Sequence, residues 1–292
     1  MMPTPTRADW LSILALGLIW GGTFSVISIA LQGYGPVTVA CARTTLGALA
    51  LASMAVVLRR SWPAAAVWRH VVPIGVLSSA VPFFLLSWGQ QYVPSAFAGL
   101  SMAILPLFVL PLAHVFAAEP LTWRKAAGFG LGFVGAMVLL GGGVLEGGAD
   151  LLPRLACIGA TLCYAVSSIL TRRCPPVDAV SFSACTLVVG SVVLVPAMLL
   201  TEGVPGWAGA VSGGAIVFLG LVPTALAAFL RVSVIRRAGS GFMTMTNYQV
   251  PLWSMAFGAL VLDEALPGRF FAALAFILAG LAVTRSAGRV RA

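Results

Sequence analysis

Charge is what this chain lacks most: of 292 residues only 9% are Asp, Glu, Lys or Arg, against about a quarter in soluble domains. That excludes a water-soluble globule, which needs polar side chains to cover its surface. Histidine is scarce, with only His70 and His114, and the five cysteines (Cys41, Cys157, Cys163, Cys174, Cys185) form no CxxC and have no histidine at ligand spacing. No metal site and no cofactor is expected, the cysteines read as small apolar filler, and His114 reads as a packed side chain.

What is present instead is hydrocarbon, 60% of the residues. Apolar runs of about 18 to 23 residues recur nearly end to end, each long enough to cross a bilayer core of roughly 30 Å. The spans are predicted at 9–31, 37–58, 68–90, 95–117, 123–141, 151–171, 178–200, 209–235, 240–262 and 268–285. Uninterrupted runs suit helices rather than alternating strands, because only a helix satisfies every backbone group within its own segment. The expected fold is an all-α membrane protein of ten transmembrane helices. The first run, from about Asp9, exceeds a signal-peptide core and is expected to stay as a span.

The net charge of +9 does not point to nucleic acid once the cations are placed on loops. With a cytoplasmic N-terminus, one side carries Arg7, Arg59, Arg60, Arg69, Arg124, Lys125, Arg172, Arg173, Arg236, Arg237, Arg285, Arg289 and Arg291. The other receives Arg154 and Arg269 with the acids Glu146, Asp150, Glu202, Asp263 and Glu264. Such asymmetry over short loops is the positive-inside pattern, so both termini are predicted cytoplasmic.

An internal repeat is also present. Ser95, Pro106, Glu119, Leu121, Arg124 and Gly135 meet Ser240, Pro251, Glu264, Leu266, Arg269 and Gly280 at a constant offset, and Gly75 falls over Gly220. Trp20 falls near Tyr164 after a one-residue slip. Each half, 9–141 and 151–285, holds five spans. Five is odd, so the second copy starts from the opposite side, and the repeat is inverted, a recurring design of secondary transporters. Gly130 to Gly135 fits GxGxxG, but it lies inside an apolar span rather than after a strand, and with Gly128 and Gly132 it reads as close helix packing.

Trp20-Gly21-Gly22-Thr23-Phe24 in span one, Arg43 early in span two and the Ser…Pro…Glu signature of spans four and nine resemble the EamA-type branch of the drug/metabolite transporter superfamily. Within it the chain is similar to bacterial amino acid exporters, including the aromatic type. The resemblance implies a bacterial inner membrane location and a central cavity lined by spans one, three, four, six, eight and nine, with the fifth and tenth outside it.

Candidate substrate-binding residues follow. Trp20, Thr23 and Phe24 share a face of span one, and the repeat sets Tyr164, Ser167 and Ser168 opposite, giving either an aromatic, hydroxyl-bearing cavity or interhelical packing. Trp88 is placed inside the hydrocarbon, unlike Trp10, Trp62, Trp68, Trp123 and Trp207 at span ends. Asn247, with Tyr248 and Gln249, lies near Pro251 and corresponds to Met102, and an intramembrane amide needs a partner. Pro106 and Pro251 are candidate hinges. Arg43, a charge inside span two, needs a partner: a substrate carboxylate, helix carbonyls, or the outer surface by snorkelling.

No acid falls mid-span, which disfavours cationic cargo and carboxylate-based proton coupling. The predicted function is secondary export of small metabolites, amino acids first, by alternating access. Nucleoside or sugar derivatives are the alternative cargo. A membrane-embedded enzyme would need a catalytic cluster, and a channel would need polar pore rings. The expected partners are a small-molecule substrate and the lipid bilayer, with no nucleic acid; neither monomer nor homodimer is favoured.

Overall fold

The computed structural model describes residues 6–117, 122–141, 151–243 and 245–286. Among these, the chain runs through ten helical rods. They are α1 (Arg7–Ala30), α2 (Pro36–Val57), α3 (Trp68–Gly75, Val76–Ala80, Val81–Gly89), α4 (Ser95–Ser101, Met102–Ile104, Leu105–Ala117) and α5 (Trp123–Leu140). The second five are α6 (Leu151–Arg172), α7 (Ala179–Thr201), α8 (Gly209–Leu219, Gly220–Leu226, Ala227–Ala238), α9 (Ser240–Met243, Thr246–Leu262) and α10 (Gly268–Ser286). Eight of the rods are long and apolar enough to cross a membrane, α9 and α10 being shorter in their described parts. Glu119, Leu121, Glu146, Asp150, Arg289 and Arg291 lie outside the described residues.

Local sequence explains where the rods start. Thr6 and Asp9 form a reciprocal capping box at α1, Thr122 caps α5, and the Asp178 carboxylate accepts from the N–H groups of Val180 and Ser181 at α7. Proline explains where α8 loosens. Pro223 has no N–H to give Leu219, the rod widens into a π-helix over Gly220–Leu226, and the Thr224 hydroxyl takes the freed Leu219 carbonyl at 2.8 Å.

The same event recurs in α3, whose π stretch Val76–Ala80 sits at the matching place in the first half, with Ser79 where α8 has Thr224. Packing repeats the correspondence. Gly47 of α2 lies against the Thr224 side chain, and Gly190 of α7 lies against that of Ser79. The helix neighbours obey one exchange of α1–α5 for α6–α10: α1–α9 answers α4–α6, α1–α8 answers α3–α6, α2–α8 answers α3–α7, and α2–α7, α4–α9 and α5–α10 map onto themselves. The fold is therefore two five-helix halves related by an inverted pseudo-twofold. Six helices (α1, α3, α4, α6, α8, α9) ring the middle, while α5 and α10 pack chiefly on each other.

That last pair settles the glycine run. Gly132 and Gly135 of α5 are pressed by Leu107 and by Ala273 and Ile277, and Gly280 of α10 lies on the backbone of Gly128 and Gly132, whereas Gly130 faces open space. Small residues let two backbones approach where lipid supplies no hydrophobic drive.

Carboxylates fasten both faces. On the basic face Asp9 pairs with Arg237 at 3.0 Å, and Asp178 with Arg236 at 3.2 Å and Arg60 at 3.9 Å. Burial alone would raise the Asp178 carboxyl, but N–H bonds from Ser181 and Val180 and the cations Arg236 and Arg60 outweigh it and hold it below its ordinary value. On the opposite face, Glu202 at the end of α7 accepts from Val37 and Thr38 at the start of α2 (2.9 and 2.8 Å). Glu264, just past α9, accepts from Ser95 and Ala96 at the start of α4 (2.6 and 3.0 Å). Each carboxylate satisfies two orphan N–H groups at the positive end of a helix dipole.

Candidate functional site

The middle of the bundle is organised by where α1 meets the π stretch of α8. The Trp20 indole N–H donates to the Pro223 carbonyl at 3.2 Å. A π turn displaces a carbonyl from its usual intrahelical partner, and such turns are frequent at functional sites. Gly17, Gly21 and Gly22 bring α1 close to α9, where Gln249, Trp253 and Phe257 fill the space against them. The glycines beside Trp20 are thus set by contact with α9, and the tryptophan is turned toward α8.

Phe24, 5% exposed, packs in the largest core cluster with Leu86, Phe97 and Leu100, and Trp20, Met102 and Tyr164 lie against the same cluster. Tyr164 also packs against the second cluster, which contains Phe83 and Leu187. It is the aromatic side chain that joins the two cores. Arg43 stands on the second side: 4% exposed, its guanidinium carbon 3.8 Å from the centroid of the Phe83 ring, in the cluster that Tyr164 packs against. It does not snorkel, and its Nε has no hydrogen-bond partner.

The hydroxyls behave differently from the aromatics. Thr23 donates to Ile19 O at 2.8 Å, Ser167 to Tyr164 O and Ser168 to Ala165 O, each within its own helix. They are satisfied by backbone, as short polar side chains in apolar helices usually are. Trp88 is a correction to the depth expected for it. It lies in the last turn of α3 against Tyr92, with ring centroids 5.6 Å apart, and Tyr92 is 58% exposed. Trp88 therefore stands at the end of its helix, beside Tyr92.

Asn247 and Tyr248 are half-buried at the start of the long piece of α9. The hinge expectation divides in two. Pro106 follows a 3-10 turn, Met102–Ile104, that breaks α4, whereas Pro251 is buried inside a continuous α-helix, and α9 breaks earlier, between Met243 and Thr246. The prolines match in sequence but not in local geometry.

Three further residues belong to this region. Thr161 donates to Ser101 O at 3.3 Å and approaches the Met102 sulfur at 3.8 Å, tying α6 to the break in α4. Its sequence signal was its position one turn before Tyr164. Pro223 was legible as a proline inside a span. Phe83 had no signal, because its partner Arg43 comes from another helix.

Two inverted halves whose α3 and α8 are broken at matching places around an aromatic middle are the architecture of a membrane transporter. The chain belongs to the EamA-like transporter family, within the drug/metabolite transporter superfamily, and the family model matches it twice, at residues 9–141 and 152–286. It is 28% identical, over 98% of this chain and 96% of the relative, to a probable terminal-alkyne amino-acid exporter of Streptantibioticus cattleyicolor. It is also 28% identical, over 90% of this chain and 86% of the other, to an S-adenosylmethionine/S-adenosylhomocysteine transporter of Chlamydia muridarum. A solved crystal structure shares the fold with a TM-score of 0.69 at 20% identity, covering 97% of this chain and 99% of that one. Family and relatives point to transport rather than catalysis.

Proposed function

We propose that this protein exports amino acids with apolar or aromatic side chains across a bacterial inner membrane by alternating access, with its basic face in the cytoplasm. The observation that carries this reading is the convergence of Trp20, Phe24, Met102 and Tyr164 on one core, with Arg43 on the Phe83 ring of the adjoining core that Tyr164 also packs against. Aromatic and thioether surfaces suit an apolar side chain. Asn247, Tyr248 and Ser168 complete the proposed site from α9 and α6, and Pro106 and Pro251 are proposed to flex as the halves exchange. The positive-inside pattern supports the orientation. The solutes named for the two relatives share an amino acid moiety, which supports the cargo class.

A growth test in cells challenged with toxic excess of single amino acids decides the reading. Expression should restore growth for one or a few, and Trp20→Ala should abolish the rescue. Equal growth with and without the protein for every amino acid would refute it. The Chlamydia relative favours a second reading, a nucleoside-bearing amino acid, and S-adenosylmethionine in the same panel separates the two.

A further inference from the structure

Arg43 is a buried charge that the fold does not balance. It enters α2 well after Pro36, its side chain is 4% exposed, and the groups recorded around it are apolar or neutral: the Phe83 ring of α3 under the guanidinium, Tyr164 of α6 against the cluster that contains Phe83, and Gly220 of α8 beside the Arg43 backbone carbonyl. Among the described residues it makes no ion pair and no hydrogen bond, whereas of the described acids Asp9, Asp178, Glu202 and Glu264 are engaged at helix ends and Asp263 is exposed just past α9. Buried cations are ordinarily paired because desolvation is costly. The contact with the Phe83 ring offsets part of that cost and uses none of the five N–H donors. A guanidinium held on an aromatic face keeps its planar edge free, and that edge matches two carboxylate oxygens.

We propose that Arg43 seats the carboxylate of the transported solute on the free edge of its guanidinium, so that the cargo itself neutralises the buried charge. This rests on the exporter reading and sharpens it: the cargo carries a carboxylate, as a zwitterion or a monocarboxylate, and amides, esters and simple amines are excluded. Tyr164 packs against both the cluster of Phe83, on whose ring Arg43 sits, and that of Trp20 and Phe24. A solute whose carboxylate sits on Arg43 therefore has its side chain directed past Tyr164 toward Trp20. With no acid facing Arg43, moving a zwitterion leaves the site's protonation unchanged.

The test uses purified full-length protein with phenylalanine, 3-phenylpropionate, phenylalaninamide and phenethylamine as probes. Melting in detergent and counterflow in proteoliposomes are both read for the parent, Arg43→Gln and Arg43→Lys. The two carboxylates should raise the parent's melting temperature and the two amines should not. Arg43→Gln should melt higher than the ligand-free parent, because an unbalanced charge is gone, and should lose the carboxylate-induced rise. Arg43→Lys should weaken the carboxylate response roughly ten- to a hundredfold, a point charge replacing a fork.

A lower melting temperature for ligand-free Arg43→Gln would make Arg43 structural and overturn the proposal. So would a carboxylate response that survives the substitution, or equal stabilisation of the parent by phenylalaninamide. Failure of the exporter reading is separate: it appears as no counterflow of any probe by the parent, while the melting comparison still decides Arg43.

Discussion

Replacing Glu264 should loosen the junction of α9 with α4 on the face opposite the Asp9–Arg237 pair. Its two oxygens hold the N–H groups of Ser95 and Ala96 at 2.6 and 3.0 Å, and Pro94 at the N-cap gives α4 no side-chain cap of its own. Hydrogen bonds to an ionised acceptor contribute about 1.5 to 3 kcal/mol each, and the lower end applies because Glu264 is half-buried. Glu264→Ala then removes about 3 kcal/mol from the arrangement in which Glu264 clasps α4, a shift of roughly 150-fold. Glu264→Gln keeps one acceptor and should lose about 1.5 kcal/mol, roughly tenfold.

Ser25 lies directly beneath, 3% exposed, with its hydroxyl 3.4 Å from that of Ser95. In a background with the five cysteines changed to alanine, Ser25→Cys should resist a membrane-impermeant maleimide added outside. Labelling should accelerate in the order parent, Glu264→Gln, Glu264→Ala. Rates that agree within about twofold across the three would refute the clasp.

Gly130→Ala should be neutral or stabilising by up to about 1 kcal/mol, since a Cβ there meets open space. Gly280→Ala should cost about 1 to 3 kcal/mol, because its Cβ meets the backbone of α5; detergent melting of both variants checks the contrast. For Asp178 the folded-state pKa is lowered, so its stabilisation is present above its ordinary value of 3.8 and is lost only as pH falls through the lower folded value. Melting of parent and Asp178→Asn should therefore differ by a constant amount from about pH 7 to about pH 5 and converge only below about pH 4; a difference that vanishes by pH 5 contradicts this. In proteoliposomes an imposed pH gradient should not drive accumulation of a zwitterionic cargo, because no carboxylate faces the middle of the described bundle, and clear proton-driven uptake would sink the argument.

Much of the architecture was legible because bilayer physics leaves few options. Apolar runs of spanning length had to be helices, and an odd number of spans per half had to invert the second copy, which the charged loops record. Gly75 over Gly220 was legible only as a match of the repeat; that α3 and α8 both loosen there was not, because the π geometry depends on where freed carbonyls find partners. The candidate site was half legible. Trp20, Phe24, Met102 and Tyr164 meet around one core, but Thr23, Ser167 and Ser168 spend their hydroxyls on their own helices, a choice that periodicity does not reveal.

The sequence by itself determined the membrane class, the all-helical content, the inverted duplication and the absence of any mid-span acid, since each follows from composition, run length or position along one chain. Only the tertiary structure decided what depends on distance between helices. It set the seat of Arg43 on Phe83, the bond from Trp20 to Pro223, the place of Trp88 at a helix end and the clasps of Glu202 and Glu264 on α2 and α4. Burial and partnership belong to pairs of segments far apart in the chain, and a single helix's pattern carries its own face but not the identity of the residue it meets.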